Sequence, residues 1–246
     1  MIRSLKTLGL ALVAVLALSA VVASAASAKP KLTPVPEEYP VTLKGSQTVV
    51  NVLELEKTRP TECAKATVEA TIENKAEAET SEATAKPTYS ECTTTILGTK
   101  DLATVTMNEC DYKLKLTETT AGTIKTEGWE QTGKEIEVKC PAGKEIEIHV
   151  FTSETKDKAN EPLCTYKIAA QKVGGDLDYK LLEKNAAEQG TSGEIGETIE
   201  GVEVTKTSGT LTNCGAASQK ATLTGRVRVE GFNAAGAMLR GIWDME

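Results

Sequence analysis

The sequence predicts an all-β protein, an antiparallel β-sandwich or barrel-like domain that is braced by disulfides and preceded by a signal peptide. Three observations lead to this prediction. Many short segments alternate apolar and polar residues, as half-buried strands do. Threonine, whose branched side chain favours pleated strands, provides 33 of the 218 residues after position 28. Six cysteines, an even number, lie in that same part of the chain.

The first 28 residues have the layout of a secretory signal peptide. Arg3 and Lys6 make the start basic, residues 8–22 are apolar apart from Ser19, and small residues then end in an Ala-x-Ala. We expect cleavage after Ala28. A retained membrane anchor is the alternative, because the apolar stretch approaches the ~18 residues that a membrane span needs.

Residues 29–41 are predicted to be a linker, and residues 42–246 a single all-β domain. Proline fixes φ and removes a main-chain donor, so a proline-rich segment favours an extended chain. The prolines of this segment are Pro30, Pro34, Pro36 and Pro40.

The clearest strands are predicted at residues 134–140 and 145–151, where every second residue is apolar or cysteine. Pro141 and Gly143 lie between them, as in a tight turn, so the two segments are predicted to form a hairpin. Residues 73–86 are rich in Glu, Ala and Thr without an apolar face, and we interpret them as a solvated excursion between strands. Further strands are predicted at residues 47–55, 66–72, 84–90, 103–107, 112–117, 165–171, 176–182, 198–205, 209–212, 220–230 and 237–243.

The six cysteines are expected to form disulfides, because all of them follow the signal peptide and disulfides persist outside the reducing cytosol. A zinc site would need close pairs such as Cys-x-x-Cys, whereas the shortest interval, between Cys92 and Cys110, holds 17 residues. Six cysteines allow fifteen pairings. The cysteines are Cys63, Cys92, Cys110, Cys140, Cys164 and Cys214.

A weak internal repeat bears on the pairing. Residues 110–114 (CDYKL) resemble residues 164–168 (CTYKI), within two units at residues 84–118 and 134–172. A duplicated motif would carry equivalent disulfides, which favours the pairings 92–110 and 140–164 and leaves 63–214. In a simple meander, however, the two cysteines of one unit lie at opposite ends of strands, and bonded cysteines need Cα atoms within ~7 Å. A chance match of a short pattern is the alternative.

Charge and composition exclude several classes of function. Without the signal peptide the chain has 26 basic and 35 acidic residues, a formal charge of −9, which opposes binding to nucleic acid or to an anionic membrane. The single histidine, His149, excludes metal sites that need two imidazoles, and no cofactor motif is present. We predict His149 on the wet face of its strand, between carboxylates.

Two candidate sites follow from single residue types. Trp129 lies in the loop-like context Glu127-Gly128-Trp129-Glu130, and it is the ring we single out for ligand contact, with core or interface packing as the alternative.

A pair of carboxylates can hydrolyse glycosides. Here 29 of the 35 acidic residues are Glu, spread over strand faces with Lys between them, which is typical of a solvated face.

Several motifs resemble a group of uncharacterised secreted proteins from actinobacteria. The resemblance covers roughly residues 60–215 and implies export and a disulfide-braced β fold, without any known activity. The motifs are Tyr89-Ser-Glu-Cys92, Ala103-Thr-Val-Thr-Met-Asn-Glu-Cys110-Asp-Tyr112, Cys140-Pro-Ala-Gly143-Lys144 and Cys164-Thr165.

These observations predict a secreted or cell-wall-associated, non-enzymatic structural or binding module. Its expected partner is a cell-envelope component or a glycan. The alternative is a secreted, glycosidase-like hydrolase that uses a Glu/Asp pair, and a cleft with two carboxylates ~5–10 Å apart would identify it.

Overall fold

The computed structural model describes residues 30–32, 34, 38–55, 59–74, 82–115, 123–125, 128–152, 161–184, 190–239 and 243–245. The signal peptide predicted at residues 1–28 lies outside the described residues. Within them, fourteen strands form one antiparallel sheet, which confirms the all-β prediction. The strands are β1 Pro30–Leu32, β2 Val41–Leu55, β3 Arg59–Ile72, β4 Glu82–Ile96, β5 Thr99–Thr106, β6 Asp111–Lys115, β7 Thr123–Lys125, β8 Gly128–Lys139, β9 Ile146–Phe151, β10 Cys164–Ile168, β11 Gln171–Lys184, β12 Gly190–Ser208, β13 Ser218–Phe232 and β14 Trp243–Met245. A helical turn, α1 (Leu211–Cys214), precedes β13.

The sheet closes on itself twice, so the fold is barrel-like. Ring A consists of β4, β3, β2, β13, β12, β11, β8 and β6, and the β4–β6 pairing closes it. Ring B consists of the same first five strands followed by β10, β9 and β5, and the β10–β12 pairing closes it. The two rings use opposite halves of the shared strands. Residues 82–85 of β4 pair with β6, for example, whereas residues 92–96 pair with β5.

Each ring has an apolar interior. Ring A contains a smaller core, and Ring B contains a larger core that also reaches β8 and β11. The smaller core is Val41, Leu43, Ala70, Ile72, Ala85, Val229 and Leu239. Tyr166 and Leu55 are among the largest fully buried side chains of the larger core. The apolar positions recur at every second residue within each half-strand, which is why these segments form strands.

The shared strands change the face that they bury where they pass from one ring to the other. On β12, Ile199 is buried before Gly201 and Val202 is buried after it, so the alternation shifts by one residue. Gly201 has a φ of 74°. On β4 the buried face passes from Pro87 to Cys92, with Glu91 at a φ of 53° between them. An extra residue of this kind is a β-bulge, which bends a strand and redirects its side chains. We call this level the junction between the rings.

All six cysteines are paired, but the pairing that the repeat favoured is wrong. The disulfides are Cys63–Cys92, Cys110–Cys140 and Cys164–Cys214, with Cα–Cα distances of 3.9, 4.2 and 5.7 Å. The first joins residues directly opposite each other on β3 and β4. The second continues the β6–β8 ladder by one position beyond Asp111 and Lys139. Strand register therefore decides two of the three pairings, whereas the resemblance between the two sequence units does not.

The predicted hairpin of residues 134–151 is also wrong. A turn is present, with the Lys144 amide donating to the Pro141 carbonyl at 3.0 Å. The strands on either side of it separate, however: β8 pairs with β6, β7 and β11, whereas β9 pairs with β5 and β10. The connection therefore passes from Ring A to Ring B instead of joining neighbouring strands.

A predicted strand and the predicted excursion also differ from the structure. Instead of a strand at residues 209–212 the chain forms α1, which Thr210 caps by accepting a hydrogen bond from the Asn213 amide. The predicted excursion at residues 73–86 ends earlier, because β4 already begins at Glu82. Within the predicted linker, Pro30–Leu32 pairs with Trp243–Met245.

Candidate functional site

Polar side chains enter the interior at the junction between the rings. Asn51 is 4% exposed, and its side chain donates from Nδ2 to Gln47 Oε1 at 2.9 Å. Gln47 Nε2 donates in turn to the Cys63 carbonyl at 3.1 Å. Gly225 of β13 makes room for this group, since a Cβ there would overlap the Asn51 side-chain oxygen. Because the buried side-chain amide of Asn51 is hydrogen-bonded, its burial costs little stability.

An apolar cavity of about 40 Å³ lies beside these residues. One water needs about 10–15 Å³ of such space, so the cavity is larger than a single water site. Aliphatic side chains dominate the wall, and the polar side chains in it are Asn51, Thr61, Tyr89 and Tyr112. The wall is formed by Asn51, Leu53, Thr61, Cys63, Tyr89, Val105, Tyr112, Val138, Ile146, Ile148, Ile168, Ile199, Val202 and Leu223.

Glu197 carries a carboxylate toward the same interior. It lies on β12 directly opposite Gly225, on the inward face that Ile199 continues into the cavity wall. The hydroxyls of Tyr89 and Tyr112 lie near each other, and both are close enough to Glu197 to interact with its charge. Two phenols and one carboxyl group therefore face the space between the two apolar cores.

Burial changes the acidity of all three groups. It raises the pKa of Glu197 to about 7, because the charged carboxylate loses water without gaining a cation. Burial, followed by nearby negative charge that includes Glu197, raises the pKa of Tyr89 well above its ordinary value of 10. The pKa of Tyr112 is raised in the same direction, first by burial and then by Glu197. Near neutral pH, Glu197 thus exists in both protonation states while the two phenols stay neutral.

His149 lies on the outer face of β9, beside the Glu147 carboxylate of the same strand. Its Nε2 lies 3.3 Å from Glu147 Oε2. Lys167 of the neighbouring strand β10 lies 3.0 Å from Glu147 and 3.3 Å from Glu145. The hydrogen bond from Lys167, and then that from His149, lowers the pKa of Glu147. These side chains form a partly exposed ion-pair network.

Trp129, the predicted ligand contact, lies in β8, so its loop-like context is wrong. Its main chain pairs with Ile124 on one side and Tyr179 on the other. Its side chain lies outside the described residues, and the role proposed for it stays a prediction.

Within the described ranges, no group of three His, Cys, Asp or Glu side chains has the arrangement of a metal site. No helix among those residues is long and apolar enough to cross a membrane. The three disulfides indicate an oxidising compartment.

Comparison of the chain with protein-family models, with curated proteins and with solved structures finds no match.

The sequence prediction did not identify the interior site. The predicted strand began at residue 198, one position after Glu197, so this carboxylate was left outside it. The signal was present in the alternation Ile195-x-Glu197-x-Ile199, which puts an acid on an apolar face. Tyr89 and Tyr112 lie within the motifs of the family resemblance, but their meeting depends on the β4–β6 pairing that closes Ring A.

Proposed function

We propose that this chain is an exported, non-enzymatic binding or structural module that acts outside the cell or in the cell envelope. The observation that carries the proposal is the closed double ring crosslinked by three disulfides. Such crosslinks form in oxidising compartments, and the sequence supplies the export signal that would deliver the chain there.

The outer face supports a module rather than an enzyme. Acidic and basic side chains lie close together on this face and form exposed or partly exposed ion pairs. The separations include 2.9 Å for Lys100–Glu62 and 3.5 Å for Arg228–Glu230. Pairs of this kind contribute little to stability, but they keep a β-surface soluble.

The alternative, a hydrolase with a carboxylate pair, has one supporting observation. Glu197 is a partly buried carboxyl group whose pKa is raised by loss of water, as a general acid requires. A glycosidase also needs a second carboxylate ~5–10 Å away. Burial alone accounts for the shifted pKa of Glu197, and no second carboxylate of the described residues contributes to it.

Two experiments test the proposal. Expression with the native N-terminus in a secreting host should deliver protein whose mass begins at Lys29, and recovery of an intact signal segment on the exported chain would overturn export. The mature protein is then used as bait against cell-envelope fractions and a glycan panel. Saturable capture without turnover is expected. Hydrolysis of a panel glycan that is lost in Glu197→Gln would establish the hydrolase instead.

A further inference from the structure

The interior space at the junction is small and mainly apolar. Its volume of about 40 Å³ exceeds that of one water site and falls well below the ~150 Å³ of a cavity that holds benzene. A short chain of carbon atoms fits this space, whereas an aromatic ring does not.

The interior also holds a carboxylate without a cation. Among the described residues, no Lys, Arg or His forms an ion pair with Glu197, and no positive charge contributes to its pKa. Glu194, which faces outward on the same strand, does have a cationic partner, since its carboxylate lies 4.0 Å from the Arg226 guanidinium. An unpaired carboxylate inside a protein is costly, and a bound cation would offset that cost.

A break in the wall leads to this space. The ladder between β2 and β3 is interrupted from Ser46 to Asn51. The Gln47 side chain spans the break by donating to the Cys63 and Ala64 carbonyls. Val49 and Val50, which lie in the break, are 54% and 45% exposed. The break in the ladder therefore ends at Asn51 and Cys63, two residues of the cavity wall.

We propose that the junction binds a short aliphatic amine, with its ammonium group at Glu197 and the Tyr89–Tyr112 pair and its carbon chain in the apolar cavity. This inference deepens the proposed function, on which it rests, by naming the class of ligand. The phenol oxygens accept hydrogen bonds from an ammonium group, and their rings attract a cation. The aliphatic side chains of the cavity wall would contact the carbon chain of the ligand.

The same geometry disfavours other ligand classes. An anion would be repelled by Glu197. A divalent metal ion needs several oxygen ligands, and a single carboxylate is available here. A neutral apolar molecule would fill the cavity but leave the carboxylate unpaired.

The test uses calorimetric titration of the mature, disulfide-bonded protein with n-butylammonium chloride at pH 8. Sodium chloride at equal concentration and neutral n-butanol are titrated in parallel. The variants are Glu197→Gln, which removes the inward charge without changing its size, and the control Glu200→Gln, which removes an exposed charge three positions along the strand. We expect one saturable site for butylammonium, at least tenfold weaker binding in Glu197→Gln and unchanged binding in Glu200→Gln.

Three results would overturn the proposal: butylammonium and sodium that behave alike, butanol that binds as tightly as butylammonium, or equal binding to Glu197→Gln. If Glu197→Gln does not fold, a crystal structure of the wild-type protein with butylammonium decides. A nitrogen within hydrogen-bond distance of Glu197 supports the site, and a nitrogen elsewhere refutes it. Capture by envelope fractions that persists without amine binding would leave the proposed function standing and remove only this inference.

Discussion

Gly209 and Cys214 are so close that a side chain on the first would occupy the place of the sulfur of the second. A Cβ built at Gly209 would overlap Cys214 Sγ and lie 2.6 Å from the Leu163 carbonyl oxygen. The φ of Gly209 is also positive, at 102°. The Cys164–Cys214 disulfide therefore closes over a glycine that no other residue can replace without displacing its neighbours.

The first prediction follows from that contact. Gly209→Ala should lower the free energy of unfolding by roughly 1–3 kcal/mol more than a control Gly→Ala substitution. Both substitutions strain the backbone, but at position 209 the new methyl group also overlaps its neighbours. Gly98→Ala is the control, since Gly98 has a φ of 85° but nothing within 4 Å of its Cβ. Urea unfolding of both variants measures the difference, and equal losses would show that the contact with Cys214 is unimportant.

The second prediction concerns the disulfides. Peptide mapping without reduction should recover the pairs 63–92, 110–140 and 164–214, and no free thiol. Each closes a segment of 29, 30 or 50 residues. Loops of this size stabilise a fold by up to about 4 kcal/mol each in the chain-entropy model. Reduction should therefore lower the melting temperature strongly, and a 92–110 peptide would contradict the observed register.

The third prediction is a pH dependence of stability. The folded pKa of Glu197, about 7, lies above its ordinary value of 4.5. The folded state therefore holds this proton more tightly, and the associated stability is complete below pH 4.5 and is lost as the pH rises through 7. Glu197→Gln should remove this loss and exceed the wild type in stability at pH 8. Chemical unfolding across pH 4–8 measures both, and parallel curves for the two proteins would refute the assignment.

The fourth prediction concerns the phenols. Because burial raises the pKa of Tyr89 and Tyr112, neither should ionise in the folded protein near pH 10. Absorbance titration at alkaline pH should give the same folded-state amplitude near pH 10 for wild type, Tyr89→Phe and Tyr112→Phe. In denaturant, each variant should lose the signal of one tyrosine. A smaller folded-state amplitude in either variant would mean that its phenol is accessible.

The sequence could predict the strands because alternation is a local signal. Residues 145–151 and 220–230 show an apolar residue at nearly every second position, and both segments are strands in the structure. Which strands pair is not local. The turn at Pro141 resembles a hairpin turn, yet β8 and β9 belong to different rings because their main chains pair with different strands.

The disulfides and the interior site depend on that same long-range pairing. Cys63 meets Cys92 through the register of β3 and β4, which the repeat of residues 110–114 and 164–168 does not encode. Glu197 faces inward because Gly201 shifts the alternation only after it. If a single alternation of inward and outward residues is assumed along the whole of β12, the inward residues are assigned wrongly in one half of the strand.

Sharing of β2, β3, β4, β12 and β13 between the two rings has a consequence for how the molecule melts. Neither ring can lose its ladder without withdrawing strands that the other ring needs, so the two halves form one cooperative unit. Calorimetry should show a single transition whose calorimetric and van't Hoff enthalpies agree. Amides at Val41 in Ring A and Leu55 in Ring B should exchange with the same opening free energy, since both belong to one continuous strand that unfolds as a whole.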